Sequence, residues 1–187
     1  MKVFEELGFP SLILCVRSWR NYNPKKINFM KKILFVCLGN ICRSPAAEGV
    51  FLDLIKKKNL EKQFIVDSAG TGDWHIGERP DKRMLQAAEK RNVELPSNAR
   101  QIRQEDIEHF DLIIVMDNSN FKNVYPLAST EVQKRKIRKF TEFASQRGVD
   151  IVPDPYFGGQ EGFEQVLDLV TDCSEGLLKY CLGFDEK

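Results

Sequence analysis

Cys37 and Arg43 are separated by five residues and have side chains suited to one chemistry. A thiolate is a strong nucleophile, and a guanidinium offers a planar fork of donors that matches two oxygens of a phosphoryl group. Before the pair comes the apolar run 33–36, which is typical of a buried strand. After it comes Ser44-Pro45, which is typical of a helix start, with Ser44 as N-cap. The pattern therefore predicts a cysteine nucleophile and a phosphate clamp where a strand meets a helix.

The segment between the two side chains is predicted to be a phosphate-binding loop. Free N–H groups of the loop and of the first helical turn converge there, and the helix dipole adds positive potential. The same field favours the thiolate form of Cys37. We expect Gly39 to permit tight curvature, and Asn40 and Ser44 to brace the loop or bond the thiolate. The loop comprises Leu38, Gly39, Asn40, Ile41, Cys42 and Ser44. A nucleotide P-loop is a poor alternative, because G-x-x-x-x-G-K-[ST] is absent.

Phosphoryl transfer from an aryl ester also needs an acid that protonates the departing oxygen. The two histidines, His75 and His109, lie in no obvious site loop, so an aspartate is the natural candidate. Asp154 stands between two prolines and is followed by Tyr156 and Phe157. Aromatic neighbours would exclude water, favour the protonated acid and form a wall for an aromatic substrate. A simple turn remains the alternative interpretation of this segment.

The rest of the chain from Lys31 onward alternates strand-length apolar runs with amphipathic helices. This order predicts an α/β fold: one domain with a doubly wound, parallel, four-stranded sheet and helices on both faces. Ligands of such sheets bind at the carboxyl ends of the strands. The predicted strands are 33–36, 64–66, 112–116 and a short fourth around Ile151-Val152, and the predicted helices begin near Pro45, Asp81 and Glu161.

The composition excludes several classes of function. With 28 basic and 27 acidic residues, the net charge of +1 gives no sign of a nucleic-acid partner. Five cysteines without regular spacing favour reduced thiols in the cytoplasm over a disulfide scaffold. Cys173 and Cys181 fall on the core face of the last predicted helix. With two histidines and no C-x2-C pair, we expect no metal site.

The first 29 residues allow two interpretations. An apolar run at 12–16 follows Lys2, as in a signal peptide, but acidic residues, a proline and two arginines surround it. The run is also too short to span a membrane. We expect residues 1–29 to be a disordered extension or no part of the natural protein, with Met30 as a possible start and residues 30–187 as the catalytic domain.

Five sequence blocks together carry a specific resemblance. They are 36–45 (Val-Cys-Leu-Gly-Asn-Ile-Cys-Arg-Ser-Pro), 67–71 (Asp-Ser-Ala-Gly-Thr), 99–101 (Ala-Arg-Gln), 116–117 (Met-Asp) and 154–156 (Asp-Pro-Tyr). From about Lys31 to Cys181 the chain resembles the low-molecular-weight protein tyrosine phosphatases. The resemblance implies a flavodoxin-like strand order, 2-1-3-4, and hydrolysis of phosphotyrosine without a metal or organic cofactor.

The resemblance also assigns roles to residues. Cys37 would attack phosphorus, Asp154 would protonate the phenolate and later activate water, and Arg43 would stabilise the phosphoryl oxygens. Asn40, Ser44 and Ser68 are implied to support the loop. The implied lining of the mouth is Leu38, Ile41, Trp74, Tyr156 and Phe157.

Three positions carry further implications of the resemblance. Cys42 is implied to form a reversible disulfide with Cys37 under oxidation. Ile41 favours a phenolic ester, because relatives that resemble phosphoarginine phosphatases carry threonine there. Ser97 stands where relatives often have a histidine that holds the loop asparagine, and a serine there can still donate one hydrogen bond.

Two rival functions remain at this point. A thiol-dependent arsenate reductase would use the same loop but needs exposed resolving cysteines, which Cys173 and Cys181 do not resemble. A non-catalytic phosphoprotein-binding module would have lost Cys37, Arg43 or Asp154, and all three are present. The expected partner is a tyrosine-phosphorylated protein, with a bacterial tyrosine kinase as one candidate. The oligomeric state is open.

Overall fold

A parallel sheet of four strands forms the centre of the computed structural model, which describes residues 30–145 and 148–184. The strands are β1 (Lys31–Cys37), β2 (Phe64–Gly70), β3 (Leu112–Val115) and β4 (Ile137–Lys139). Their order is β2-β1-β3-β4, and every neighbouring pair is parallel. The predicted fold class and strand order are therefore confirmed. The predicted extension, residues 1–29, lies outside the described residues.

Helices cover both faces of this sheet. In chain order they are α1 (Arg43–Lys57), α2 (Lys82–Lys90), α3 (Gln104–His109), α4 (Asn118–Val124), α5 (Glu131–Lys134) and α6 (Gln160–Cys181). Short 3-10 turns occur at Glu61–Gln63, Tyr125–Leu127 and Phe140–Phe143. None of the helices in the described ranges combines the length and apolar character needed to cross a membrane.

The alternation of side chains along β1 explains why this strand is central. Ile33 and Phe35 belong to one hydrophobic core, which α1, α2 and α6 complete, and Leu34 and Val36 belong to a second core under α3 and α4. Successive side chains of a strand point to opposite faces, so a continuous apolar run is buried only where both faces are covered. All four of these side chains are fully buried.

The predicted fourth strand around Ile151-Val152 is wrong. The fourth strand is β4, in which only Ile137 is apolar and buried, so the sequence carries little strand signal there. Val152 is buried, and its N–H donates to Met116 O at 2.8 Å, but no strand forms. The prolines at 153 and 155 lack the N–H groups that would continue a ladder.

Other boundaries differ from the prediction in informative ways. β2 continues to Gly70, four residues beyond the predicted strand 64–66, because pairing with β1 extends it through residue types that otherwise favour turns. The short helices α3, α4 and α5 were not predicted, because four to seven residues are too few to show helical periodicity. The strand order reverses around β1, so the carboxyl ends of β1 and β3 border one crevice.

Candidate active site

Cys37 ends β1 and is followed by a loop that turns directly into α1. The helix begins at Arg43, and its N-cap position is held by Cys42 without any side-chain cap. The prediction of Ser44 as N-cap is therefore wrong. Its hydroxyl faces the loop instead and lies 3.0 Å from Cys37 Sγ, in the buried interior.

Asn40, and not Gly39, has the unusual backbone conformation in this loop. Its φ of 54° lies in the left-handed region, which asparagine tolerates better than most residues. This turn directs the Asn40 N–H to Cys37 Sγ at 3.2 Å. Gly39 has a different reason to lack a side chain, since a Cβ there would lie 3.0 Å from His75 Cδ2.

A chain of buried polar side chains lies behind the loop. Asn40 Nδ2 donates to Ser44 Oγ and to Ser68 Oγ, both at 2.9 Å. Ser68 Oγ donates to Glu48 Oε2 at 2.6 Å, and the other carboxylate oxygen accepts from Ser97 Oγ at 2.6 Å. Ser97 thus donates one hydrogen bond, as expected, but to Glu48 and not to the loop asparagine.

Arg43 joins two aspartates at the open side of the loop. Its Nη1 lies 2.5 Å from Asp117 Oδ2, and its Nη2 lies 2.6 Å from Asp154 Oδ2. The arginine side chain is 4% exposed, whereas that of Asp154 is 39% exposed. The buried guanidinium is therefore held from one side by Asp117, and Asp154 closes the solvent side.

Cys37, Arg43 and Asp154 line one cavity of about 360 Å³. The remaining lining residues are Leu38, Gly39, Ile41, Cys42, Trp74, His75, Tyr156 and Phe157. The structure thus brings together, around one opening, every residue that the sequence analysis assigned to chemistry or to the aromatic mouth. Asn40, Ser44 and Ser68 do not line the cavity, because they are buried behind it.

His75 was wrongly placed away from the site by the sequence analysis. It lines the cavity beside Trp74, and its Nδ1 lies 2.8 Å from Glu78 Oε2. The loop between β2 and α2 carries no motif that would have revealed this position. The other histidine, His109, ends α3 and is not among the residues that line the cavity.

The four cysteines of the described ranges are free thiols. Cys42 is buried beside Cys37, and burial raises the pKa of its thiol. Burial likewise raises the pKa of Cys173 and of Cys181 to about 12 each. Cys173 is fully buried in the core, as predicted, and Cys181 packs partly buried against it. Within residues 30–145 and 148–184, no group of three histidine, cysteine or acidic residues is arranged to hold a metal ion.

Two residues of this site had no assigned role in the sequence analysis. Asp117 follows β3, and its position at the carboxyl end of a central strand was the available signal. Glu48 lies in α1 one turn beyond Ser44 and one turn before Phe51, within the buried side of the helix. An acid among the apolar residues of a predicted helix was the signal for its buried position.

The fold and this loop define a class of protein: an α/β domain in which a cysteine at a strand end and an arginine at a helix start line one cavity that is suited to bind an oxyanion. The family model for low molecular weight phosphotyrosine protein phosphatase matches residues 32–183. The chain therefore belongs to this family, as its resemblance predicted, and is a phosphoric monoester hydrolase that acts on phosphotyrosine.

Individual relatives agree with this assignment. A low molecular weight phosphotyrosine protein phosphatase of Schizosaccharomyces pombe is 42% identical over 149 residues, which are 79% of this chain and 95% of the relative. The crystal structure of a protein tyrosine phosphatase from Entamoeba histolytica has a TM-score of 0.79 and 40% identity, and the match covers 83% of this chain and 99% of that one. A solved structure named Drosophila arginine phosphatase has a TM-score of 0.75 and 33% identity, with 80% of this chain and 97% of that chain covered.

Proposed function

We propose that the chain hydrolyses phosphotyrosine in proteins through a phosphocysteine formed on Cys37, with Asp154 as acid and base and Arg43 as the phosphoryl clamp. The observation that carries this proposal is the meeting of the three side chains in one cavity, with Arg43 Nη2 2.6 Å from Asp154 Oδ2. A bound phosphoryl group would lie between the thiolate and the carboxyl group. Both groups would then touch the reacting atoms.

The first step transfers the phosphoryl group to sulfur. The Cys37 thiolate attacks phosphorus opposite the phenolic oxygen, the P–O bond to the ring breaks, and Asp154 gives its proton to that oxygen. Arg43 and the loop N–H groups donate to the three equatorial oxygens, on which negative charge accumulates. Ser44, 3.0 Å from Sγ, and the Asn40 N–H, 3.2 Å from it, stabilise the thiolate.

The second step releases inorganic phosphate. Asp154, now a carboxylate, takes a proton from a water molecule that attacks phosphorus, and the P–S bond breaks to regenerate the thiolate. No step of this sequence requires a metal ion or an organic cofactor. The same loop donors serve both steps, since both transition states place charge on the same oxygens.

The lining of the cavity supports an aryl ester as substrate. Trp74 and Tyr156 stand at the mouth with exposed fractions of 59% and 39%, and Ile41 faces the cavity from the loop. A phenyl ring can pack between aromatic side chains in offset or edge-to-face geometry. Phosphoarginine, the substrate implied by the name of the Drosophila relative, is the alternative, and its charged guanidinium gains less from this apolar wall.

Hydrolysis of p-nitrophenyl phosphate in the presence of a metal chelator tests the assignment. We expect full activity in the parent chain and none in Cys37→Ser. Cys181→Ser, far from the loop, is the matched control for loss of a thiol and should remain active. Activity that survives Cys37→Ser would refute the proposed nucleophile.

Assays of the same parent chain also distinguish the proposed phosphatase from its two rivals, the arsenate reductase and the binding module. Reduction of arsenate with consumption of thiol, but without ester hydrolysis, would favour the reductase, and phosphopeptide binding without either activity would favour a binding module. The burial of Cys173 argues against the reductase, because a resolving thiol must reach the solvent side. Comparing phosphotyrosine with phosphoarginine as substrates tests the role of Ile41, for which Ile41→Thr is the informative variant.

The cellular setting is also a proposal. Free thiols, including one required as nucleophile, support a reducing cytoplasm as the place of action. The substrate is a tyrosine-phosphorylated protein, for which a bacterial tyrosine kinase is one candidate. A substrate-trapping variant, Asp154→Ala, should retain the phosphorylated partner long enough for identification by mass spectrometry.

We also propose that residues 30–187 form the catalytic domain and that residues 1–29 contribute nothing to the chemistry. The family match begins at residue 32, which supports this boundary. A chain that starts at Met30 should have the same kcat/KM as the full-length chain on p-nitrophenyl phosphate. A large loss of kcat/KM after truncation, with the fold retained, would refute the boundary.

A further inference from the structure

Glu48 is a buried carboxylate for which the proposed chemistry has no direct use. It is 2% exposed, and the side-chain hydrogen bonds that it accepts come from two serines, Ser68 and Ser97. Burial raises the pKa of this carboxyl group, while hydrogen bonds from Ser68 and Ser97 lower it. The charge of Arg100 also lowers this pKa, but the hydrogen bonds come from the two serines, and a buried acid is costly unless such bonds satisfy it.

The direction of each hydrogen bond in the chain behind the loop can be assigned. The backbone N–H of Arg100 donates to Asn40 Oδ1 at 2.9 Å, which fixes the orientation of the Asn40 amide. The amide nitrogen has only donors, so the oxygens of Ser44 and Ser68 must both accept from it. Each of these two hydroxyl groups then has one hydrogen left to donate.

The two remaining hydrogens have different destinations. We assign the hydrogen of Ser44 to Cys37 Sγ, because this contact, at 3.0 Å, is shorter than the contact to its other acceptor, Ala69 O, at 3.3 Å. The hydrogen of Ser68 goes to Glu48 Oε2 at 2.6 Å. Glu48 therefore accepts at the end of a chain that starts at the sulfur and passes through the loop asparagine.

We propose that Glu48 is a positioning residue for Cys37, and this inference rests on the proposed function of Cys37 as nucleophile. Because Glu48 accepts the hydrogen bond from the Ser68 hydroxyl, a lone pair of the Ser68 oxygen faces Asn40 Nδ2 and accepts the hydrogen bond from this amide. The asparagine is thereby kept in its left-handed conformation, with its backbone N–H directed at Sγ. Loss of the acceptor leaves a buried hydroxyl hydrogen without a partner and loosens this arrangement.

Ser97 explains how one arrangement can serve both protonation states of Glu48. When the carboxyl group is ionised, Ser97 donates to Oε1, as its 2.6 Å contact allows. When Glu48 is protonated on Oε1, the hydroxyl of Ser97 can rotate and accept a hydrogen bond from that O–H group, because a hydroxyl both donates and accepts hydrogen bonds. In either state Oε2 remains free to accept from Ser68.

The pH dependence of Cys37 alkylation by iodoacetamide, mapped by mass spectrometry, tests this inference. Glu48→Met removes both acceptor oxygens and should move the alkylation midpoint upward by about half to one pH unit, the effect of losing one hydrogen bond. Glu48→Gln keeps an acceptor oxygen for Ser68 and should leave the midpoint unchanged. Glu164→Met is the control: it makes the same exchange of side chains in α6, where Glu164 forms a partly exposed ion pair with Arg91.

A double-mutant cycle tests whether Glu48 acts through Ser68. Ser68→Ala alone should raise the midpoint, and Glu48→Met should add nothing in that background. An unchanged midpoint in Glu48→Met, or an equal shift in both backgrounds, would overturn the inference. If Glu48→Met does not fold, as judged by circular dichroism, Glu48→Gln and Ser68→Ala decide: a shift in Glu48→Gln, or an unchanged midpoint in Ser68→Ala, refutes the role.

This experiment also separates the inference from the proposed function. If activity is lost through alkylation of a residue other than Cys37, or if Cys37→Ser remains active, the proposed nucleophile is wrong. If Cys37 is confirmed and the cycle shows no coupling between Glu48 and Ser68, only the positioning role fails.

Discussion

Arg43 Nη2 and Asp154 Oδ2 lie 2.6 Å apart, so the proposed phosphoryl clamp and the proposed acid are bonded to each other when no substrate separates them. Asp154 Oδ1 also accepts from the backbone N–H of Tyr156 at 3.1 Å. A phosphoryl group that enters the cavity must replace one contact of the guanidinium. The carboxyl group is then left beside the departing oxygen, where an acid is needed.

Asp154→Ala should slow phosphoryl transfer by about 10²- to 10⁴-fold, which is the usual contribution of a general acid. The loss should be larger for phenyl phosphate than for p-nitrophenyl phosphate, because p-nitrophenolate is the better leaving group and departs with less help from an acid. Rapid-quench measurement of phenol release in a single turnover checks this difference. Asp168→Ala, in a distant ion pair with Arg91, is the control. An equal loss for both esters would contradict the role of acid.

Asp117 should matter for phosphate affinity, because its Oδ2 holds Arg43 Nη1 at 2.5 Å. Its Oδ1 also accepts from Asn120 N at 2.7 Å and caps α4, so alanine would damage the helix as well. Asp117→Ser retains a capping hydroxyl and removes the carboxylate. We expect it to weaken inhibition by inorganic phosphate about tenfold, the effect of one charge-assisted hydrogen bond. Unchanged inhibition, with the Tm preserved, would contradict this role.

Oxidation of the site should depend on the cysteine pair in the loop. Because burial raises the pKa of Cys42, its thiol stays protonated, and peroxide is expected to attack the Cys37 thiolate first. Cys42 can then capture the sulfenic acid as a disulfide. Hydrogen peroxide followed by dithiothreitol should restore the parent chain but not Cys42→Ser. Equal recovery of both would exclude this protective disulfide.

The contrast between β1 and β4 shows what the sequence could predict of the fold. Residues 33–36 are apolar on both faces, a pattern that few structures other than a central strand can bury, and the strand and its position were predicted correctly. β4 reads Ile-Arg-Lys, and only pairing with β3 makes it a strand. Tertiary pairing of this kind leaves no periodic signal in the sequence.

The active site likewise combines residues that the local sequence predicts with residues that only the packed fold brings together. The segment from Cys37 to Arg43 was predictable, because a strand end, a helix start and the residue types agree locally. His75 reaches the cavity only through the path of the loop between β2 and α2, and Ser97 meets Glu48 across 49 positions of sequence. Contacts of this range depend on the packed fold, and no local pattern predicts them.

The stability of the start of α2 should depend on pH through Asp81. The Arg83 side chain, which bonds to Asp81, lowers the pKa of this carboxyl group, and Asp81 Oδ1 also accepts from Arg83 N at 2.8 Å. A depressed pKa in the folded state stabilises the fold above the unfolded pKa and loses this effect as pH falls through the folded value. Asp81→Asn keeps the cap and removes the charge. Its Tm should be below that of the parent at pH 7, and the difference should shrink in acid. A constant difference at all pH values would contradict this origin.

Gly72 and Trp74 should act as one unit in substrate binding. A Cβ at position 72 would overlap the ring of Trp74, so Gly72→Ala must displace this ring from the mouth of the cavity. We expect Gly72→Ala and Trp74→Ala each to raise KM for phenyl phosphate about two- to tenfold, the effect of losing one aromatic contact, with kcat little changed. The double variant should bind no more weakly than either single one. Inhibition by inorganic phosphate, which has no ring, is the control and should not change. If the fold increases in KM of the two single variants multiply in the double variant, Gly72 affects binding by a route other than Trp74.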